Sequence, residues 1–220
     1  MYKKEQIIQQ VIEQGVLPLY YHADEAVSIA LLKALYTAGI RSVEYTNRGE
    51  AALVNFRAMK KLCESELTGM QLGIGTIKNG EMAKAFIDAG ADYIICPGLV
   101  ESVAKVADEN DMLWIPGCMT PSEVIAAETM GASLVKLFPG NILGMEFMRA
   151  IKDLFRGLLF MPTGGVDITK QNIEGWFNAG VCAVGMGSKL ISKDIMDNKK
   201  YELLIAETQK IMAIINDCKK

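Results

Sequence analysis

The chain has 220 residues, half of them hydrophobic and 22% charged, with a formal net charge of -3. A large core is available, and the acidic balance argues against a nucleic-acid binder that works through a basic surface. No stretch approaches the ~18 apolar residues of a membrane span, and a lone histidine, His22, is too few for a His-rich catalytic zinc site.

The five cysteines, Cys63, Cys96, Cys118, Cys182 and Cys218, are scattered and form no C-x-x-C pair. That usage fits a reducing, cytoplasmic compartment, with the cysteines as small packing residues. The thirteen methionines are scattered too and read as core filling.

The first segment, with Ile7, Ile8, Val11 and Ile12, reads as an amphipathic helix rather than the apolar region of a signal peptide. Val16 to Tyr21 is the first predicted strand. Asp24 can cap a helix that turns Val27, Leu31, Ala34 and Leu35 to one side. The second strand is predicted over Ser42 to Arg48, and a helix through Leu53, Phe56 and Leu62 follows. The third strand is Gln71 to Ile77, after which Asn79 can cap a helix with Ala83, Phe86 and Ile87 inward.

Tyr93 to Cys96 and Leu113 to Gly117 are the fourth and fifth predicted strands. Thr120-Pro121-Ser122-Glu123 then has the form of a capping box with proline at the first helical position. Leu134 to Phe138 is the sixth strand, Leu158 to Pro162 the seventh and Cys182 to Gly185 the eighth. A last helix occupies about 200 to 217.

A small repeat supports this parsing. Ala38-Gly39, Ala89-Gly90, Met130-Gly131 and Ala179-Gly180 each end a helix with glycine just before an apolar strand. Strands start roughly 20 to 29 residues apart, the length of one βα unit. Eight such units make a (β/α)8 TIM barrel, here with an extra N-terminal helix and one domain over residues 1–220. A doubly wound open sheet is the alternative.

Lys136 lies inside an apolar strand. Burial disfavours an ammonium ion, the condition under which a lysine serves as an amine nucleophile. A strand-end lysine whose head reaches solvent is the competing reading. On the second strand, Glu44, Thr46 and Arg48 share a face by the period-2 rule, and Val43 and Tyr45 take the other. Glu44 and Arg48 can satisfy each other, or act apart, with Glu44 as a buried general base and Arg48 as a fork for a substrate carboxylate.

Thr76 ends a Gly73-Ile74-Gly75 run that allows close backbone approach. Thr163-Gly164-Gly165 and Gly185-Met186-Gly187-Ser188 follow strands seven and eight, where barrels bind phosphate through backbone N–H groups. His22, Cys96 and Cys118 also fall at strand ends. Without an activating partner the cysteines read as packing residues, and His22 as a loop residue at the barrel mouth.

Six motifs occur in order: Val43-Glu44-Tyr45-Thr46-Asn47-Arg48, Gly73-Ile74-Gly75-Thr76, Cys96-Pro97-Gly98, Ile115-Pro116-Gly117, Lys136-Leu137-Phe138-Pro139 and Pro162-Thr163-Gly164-Gly165. Together they closely resemble the 2-keto-3-deoxy-6-phosphogluconate (KDPG) / 4-hydroxy-2-oxoglutarate (KHG) aldolase family, from Gly15 to about Ile191. The resemblance implies a class I aldolase on a (β/α)8 barrel, a homotrimer that needs no metal or cofactor. Its small-molecule substrate would be a phosphorylated keto-deoxy sugar acid, cleaved to pyruvate and glyceraldehyde 3-phosphate.

By the same resemblance Lys136 is the Schiff-base lysine and Glu44 the general acid/base. Arg48, Thr76, Pro116 and Thr163 face the pyruvate end, and Gly164, Gly165, Gly187 and Ser188 the phosphate. The chain departs from the family pattern at Tyr45, Asn47, Gly140, Asn141 and Lys189. These departures bear on which sugar acid is used. A phosphosugar isomerase or epimerase with Glu44 as its base, a galactonate-derived substrate, and a non-catalytic phosphosugar-binding barrel are the alternatives.

Overall fold

The computed structural model describes residues 2–219. Helix α1 (Lys4–Gln14) leads into an alternation of parallel strands and helices. The strands are β1 (Val16–Tyr20), β2 (Ser42–Thr46), β3 (Gln71–Gly75), β4 (Tyr93–Ile95), β5 (Leu113–Ile115), β6 (Gly117–Cys118), β7 (Leu134–Leu137), β8 (Leu159–Pro162) and β9 (Val184–Met186). The helices between them are α2 (Glu25–Thr37), α3 (Ala52–Ser65), α4 (Gly80–Asp88), α5 (Glu101–Glu109), α6 (Pro121–Thr129), α7 (Gly140–Ile151) and α8 (Lys170–Ala179). Short α9 (Lys193–Asp197) and long α10 (Tyr201–Cys218) close the chain.

All strand pairings are parallel, in a six-stranded sheet of order β5-β4-β3-β2-β1-β9 and a three-stranded sheet of order β6-β7-β8. β5 and β6 are one predicted strand broken at Pro116, which lacks the N–H a ladder needs. A single parallel bridge, Thr163 to Gly185, joins the end of β8 to β9.

Local chemistry places the elements as anticipated. Asp24 and Asn79 accept the N–H groups of Val27 and Met82. Thr120 and Glu123 form the reciprocal capping box. Gly39, Gly90, Gly131 and Gly180 all adopt positive φ after their helices.

Five predicted strands end early, β1 and β4 by one residue each, at Tyr20 and Ile95. β2 stops at Thr46, because Asn47 N–H donates to Gly75 O while Arg48 N–H turns back to Thr46 O. β3 stops at Gly75, because Thr76 takes φ 62. Phe138 lies just beyond β7 instead of inside it. The last strand begins at Val184 rather than Cys182.

Two apolar layers follow from strand alternation. Val43, Tyr45, Leu72, Ile74, Val135 and Leu137 belong to a large core against the helices. Leu17, Tyr93, Ile95, Leu113, Ile115, Leu134, Met161 and Ala183 form a second, inner core. Ile7 and Val11 of α1 pack against this inner set and are fully buried, so the amphipathic N-terminal helix covers one end of it. Among the described residues, no helix is long and apolar enough to cross a membrane.

Candidate active site

Lys136 sits on β7 two residues after Leu134, whose side chain is in the inner core, so the lysine shares that inward face. It is 5% exposed. Its N–H donates to Pro116 O at 2.9 Å, and it lies in register with Gly117 and Met161. Gly117 leaves no space for a side chain, since a Cβ there would stand 2.5 Å from the Pro97 carbonyl. The ammonium lies 5.2 Å from the centre of the Phe138 ring. The solvent-reaching alternative for Lys136 is therefore excluded.

Glu44, on β2, is 1% exposed. Its Oε1 is 3.8 Å from Lys136 Nζ, close enough for charge attraction but too long for a hydrogen bond. Neither carboxylate oxygen has a hydrogen-bond partner among the described residues. Burial pushes the Glu44 carboxyl above its ordinary range and outweighs the opposing pull of Lys136 and Arg48. A carboxyl that holds its proton loosely or tightly according to its neighbours suits proton transfer. The ion contact of Glu44 is with Lys136, and Arg48 stands exposed, so the self-satisfied Glu44–Arg48 pair does not form.

The ends of the strands open on a cavity of about 350 Å³. Arg48, Thr76, Lys136 and Thr163 are on its wall, and so are Gly164, Gly165, Gly187 and Ser188. Pro116 is not on the wall; it acts on the site through its carbonyl, which holds the Lys136 backbone. Glu44 lies behind the wall, against Lys136. Thr46 is buried and its hydroxyl donates to Tyr20 O at 3.3 Å.

Thr76 holds the left-handed conformation, unusual for a β-branched residue. Thr163 is 3% exposed, and its hydroxyl has no protein partner. Gly185 makes room for it, since a Cβ there would come within 2.2 Å of Thr163 Oγ1. Three orphaned polar atoms, two on Glu44 and one on Thr163, thus belong to residues in the cavity wall or just behind it. Buried polar groups are normally satisfied, so Thr163 in the wall and Glu44 behind it leave polar atoms unpaired for a ligand.

Directly after Thr163, Gly164 and Gly165 have φ 93 and φ 72. Their loop is clamped by the chain just past Lys136: Gly140 N–H donates to Thr163 O at 2.8 Å, and Asn141 N–H to Gly164 O at 2.9 Å. A Cβ on Gly140 would press on the Thr163 and Gly164 carbonyls at 3.2 and 3.1 Å. Gly140 and Asn141 therefore hold the glycine loop from behind instead of facing a ligand.

Tyr45 is also structural. It is wholly buried in the helix-facing core, and its hydroxyl donates to His22 O at 2.8 Å. Ser28 and Asn55 donate to the same carbonyl, which fixes the β1–α2 loop. His22 is off the cavity wall, with Nδ1 accepting from Asp24 N–H. Burial pushes the thiols of Cys96 and Cys118 up to about 12, which leaves them inert packing groups. Among the described residues no cluster of His, Cys, Asp or Glu is placed to hold a metal.

The sequence reading missed the apolar wall of Leu19, Tyr20, Tyr21 and Met196. Tyr20 ends β1 and Tyr21 follows it, and strand-end position was the available signal. It also left Lys189 without a role and passed over Asp167. Lys189 lines the cavity, and its Nζ is 3.3 Å from Asp167 Oδ2.

The model of the family "KDPG and KHG aldolase" matches residues 7–206. The chain belongs to the KDPG and KHG aldolase family. It is 30% identical over 207 residues to the 2-dehydro-3-deoxy-phosphogluconate aldolase of Dickeya dadantii, covering 93% of this chain and 94% of that one. It is 32% identical over 177 residues to the KHG/KDPG aldolase of Escherichia coli K12, covering 80% of each.

Among solved structures, the KDPG aldolase of Zymomonas mobilis ZM4 with 3-phosphoglycerate superposes with a TM-score of 0.82 at 26% identity, covering 94% of this chain and 95% of that one. The Legionella pneumophila KDPG aldolase, solved with pyruvate as a covalent carbinolamine, shares the fold with a TM-score of 0.86 at 24% identity, covering 94% and 98%.

Proposed function

We propose that this member of the KDPG and KHG aldolase family is a class I aldolase that uses Lys136 as its Schiff-base residue and Glu44 as its general acid/base. It cleaves a 2-keto-3-deoxy-6-phospho sugar acid to pyruvate and glyceraldehyde 3-phosphate, and accepts 4-hydroxy-2-oxoglutarate as a shorter substrate. The observation that carries this is the Lys136–Glu44 pair, 3.8 Å apart and almost fully buried, at the floor of a cavity of about 350 Å³. Relatives named for both substrates match most of the chain.

The chemistry follows from the positions. Arg48 and the hydroxyls of Thr76 and Thr163 hold the substrate carboxylate, which sets the C2 ketone against Nζ of Lys136. The neutral amine adds to C2, and loss of water leaves an iminium. Glu44 takes the proton of the C4 hydroxyl, the C3–C4 bond breaks, and the aldehyde departs. The electron pair of that bond is held as the enamine. Protonation at C3 and hydrolysis of the resulting iminium free pyruvate and regenerate the lysine. Gly164, Gly165, Gly187 and Ser188 receive the phosphate through N–H groups and a hydroxyl.

The fold belongs to the same proposal. The chain runs from β5 through Pro116 into β6, and Thr163 bridges to Gly185. These two links support reading the sheets as one eight-stranded (β/α)8 ring, a single domain over 1–220, with α1 covering the bottom. A cytoplasmic homotrimer without metal or cofactor completes the proposal; exposed Ile125 and Ile142 are apolar positions that a partner copy can cover.

Pyruvate plus borohydride tests the mechanism. An irreversible mass increase on the peptide that holds Lys136 is expected. No adduct, or one on another lysine, overturns it. A Lys136→Arg variant separates this chemistry from isomerisation, since only an isomerase would keep activity.

A further inference from the structure

The charged residues on the cavity wall are Arg48, Lys136 and Lys189, with no carboxylate among them. A phosphorylated keto acid brings a carboxylate at one end and a dianion at the other. Arg48 serves the first and Lys136 is committed to the ketone, which leaves Lys189 as the cation beside the glycine loops. It follows Gly187-Ser188 directly, on the turn where Leu190 and Ile191 N–H groups donate to Gly187 O at 2.9 and 2.8 Å.

Its partner is fixed. Asp167 lies two residues past Gly165. Its Oδ1 accepts from Thr169 N–H at 3.1 Å, and its own N–H donates to the Asn172 side-chain carbonyl at 2.9 Å. The Lys189 side chain is 57% exposed and joined to Asp167 by a 3.3 Å ion contact. One partner is anchored and the other is a long-stemmed, half-exposed cation, so Lys189 is the group able to change partners. An exposed pair of this sort is weak, whereas a phosphate dianion offers more charge and three acceptor oxygens.

We propose that Lys189 is a specificity-determining residue of the proposed aldolase. It leaves Asp167 for the distal phosphate of the substrate and sets the preference for phosphorylated over unphosphorylated keto acids. Asp167 is a positioning residue that parks the lysine beside the glycine loops and competes with weaker anions. The proposal rests on the aldolase function above.

The test compares 2-keto-3-deoxy-6-phosphogluconate with its unphosphorylated counterpart in the full chain. Lys189→Gln should raise KM for the phosphorylated substrate about tenfold, the scale of one hydrogen bond to a charged group, with kcat nearly unchanged. On the unphosphorylated substrate it should change kcat/KM by less than about twofold, because no charged contact is lost there. Lys189→Arg should restore most of the preference, and Asp167→Asn should lower KM for the phosphorylated substrate. Inorganic phosphate should raise the melting temperature of the native protein more than that of Lys189→Gln.

Equal effects of Lys189→Gln on both substrates, or no effect on either, would overturn the proposal. Exchange of the pyruvate methyl protons with solvent uses the pyruvate end of the site and involves no phosphate, and it should survive in Lys189→Gln. If the native protein itself lacks that exchange, the aldolase function fails and this proposal falls with it. If exchange is present and the substrate preference does not move, the Lys189 proposal alone fails.

Discussion

The carboxylate of Glu44 occupies the space that a side chain at position 75 would need. A Cβ on Gly75 would stand 1.7 Å from Glu44 Oε1 and 2.5 Å from its carboxyl carbon. Glycine at 75 is thus what lets an acid lie folded inside the strands beside Lys136. Gly75→Ala should displace the carboxylate and lower kcat by about 10² or more, the scale of lost acid–base catalysis. It should also cost about 1–3 kcal/mol of stability through overpacking. Steady-state kinetics and a denaturant melt check both; unchanged kcat would show that the position of Glu44 is unimportant.

Glu44 also sets a pH dependence. Its native carboxyl ionises above the ordinary glutamate range because it is buried. As a base it must be ionised, so the acid limb of the kcat profile should lie above an ordinary glutamate's value of about 4.3. Glu44→Gln should abolish that limb along with most activity, by about 10²–10⁴.

The stability sign runs the other way from a salt-bridged acid. The unfolded chain loses this proton first, so between the two ionisations the native state binds more protons and stability falls as pH rises. Relative to Glu44→Gln, the native protein should lose stability from about pH 4.3 upward and level off once Glu44 has ionised. Melts of both proteins across pH measure the difference; native stability that rises relative to Glu44→Gln as pH rises would contradict the buried-acid assignment.

Thr163 separates stability from binding. Its hydroxyl is buried without a protein partner. Thr163→Val keeps the shape and removes the unsatisfied oxygen, so stability should hold or rise by about 1 kcal/mol. KM for keto acids should rise several-fold, because the hydroxyl is assigned to the substrate carboxylate. A stability loss without a change in KM would make Thr163 a structural residue only.

The thiols supply a prediction that does not depend on catalysis. Burial holds Cys63, Cys96, Cys118 and Cys182 at about 12. Cys218 is partly exposed and its thiol is also raised. At pH 8 a thiol reagent should reach Cys218 first and label the other four only as the protein unfolds. Peptide mapping after brief alkylation reads the order, and early labelling of Cys96 or Cys118 would point to a reactive thiol at the site.

Much of the site was legible because strand alternation is local. Two-residue periodicity put Glu44 and Thr46 on the face opposite Val43 and Tyr45, and the structure separates them in that way. Arg48 reached the cavity although β2 had already ended, since the turn after Thr46 carries it to the mouth. Pro116 was placed on the substrate side by the resemblance. The structure turns it to backbone support, because its carbonyl is taken by Lys136 N–H.

By itself the sequence determined the order of elements, their caps, the glycines that end helices, and the presence of a lysine and a glutamate too deep to be idle. These follow from dihedral preferences and periodicities that act within a few residues. Only the tertiary structure decided which distant groups meet. It brought Lys136 to 3.8 Å from Glu44, set Gly75 beneath that carboxylate, and paired Lys189 with Asp167 across two loops. Such contacts depend on how the sheets curl and which strand faces which, and no local preference encodes the distance between side chains so far apart in the chain.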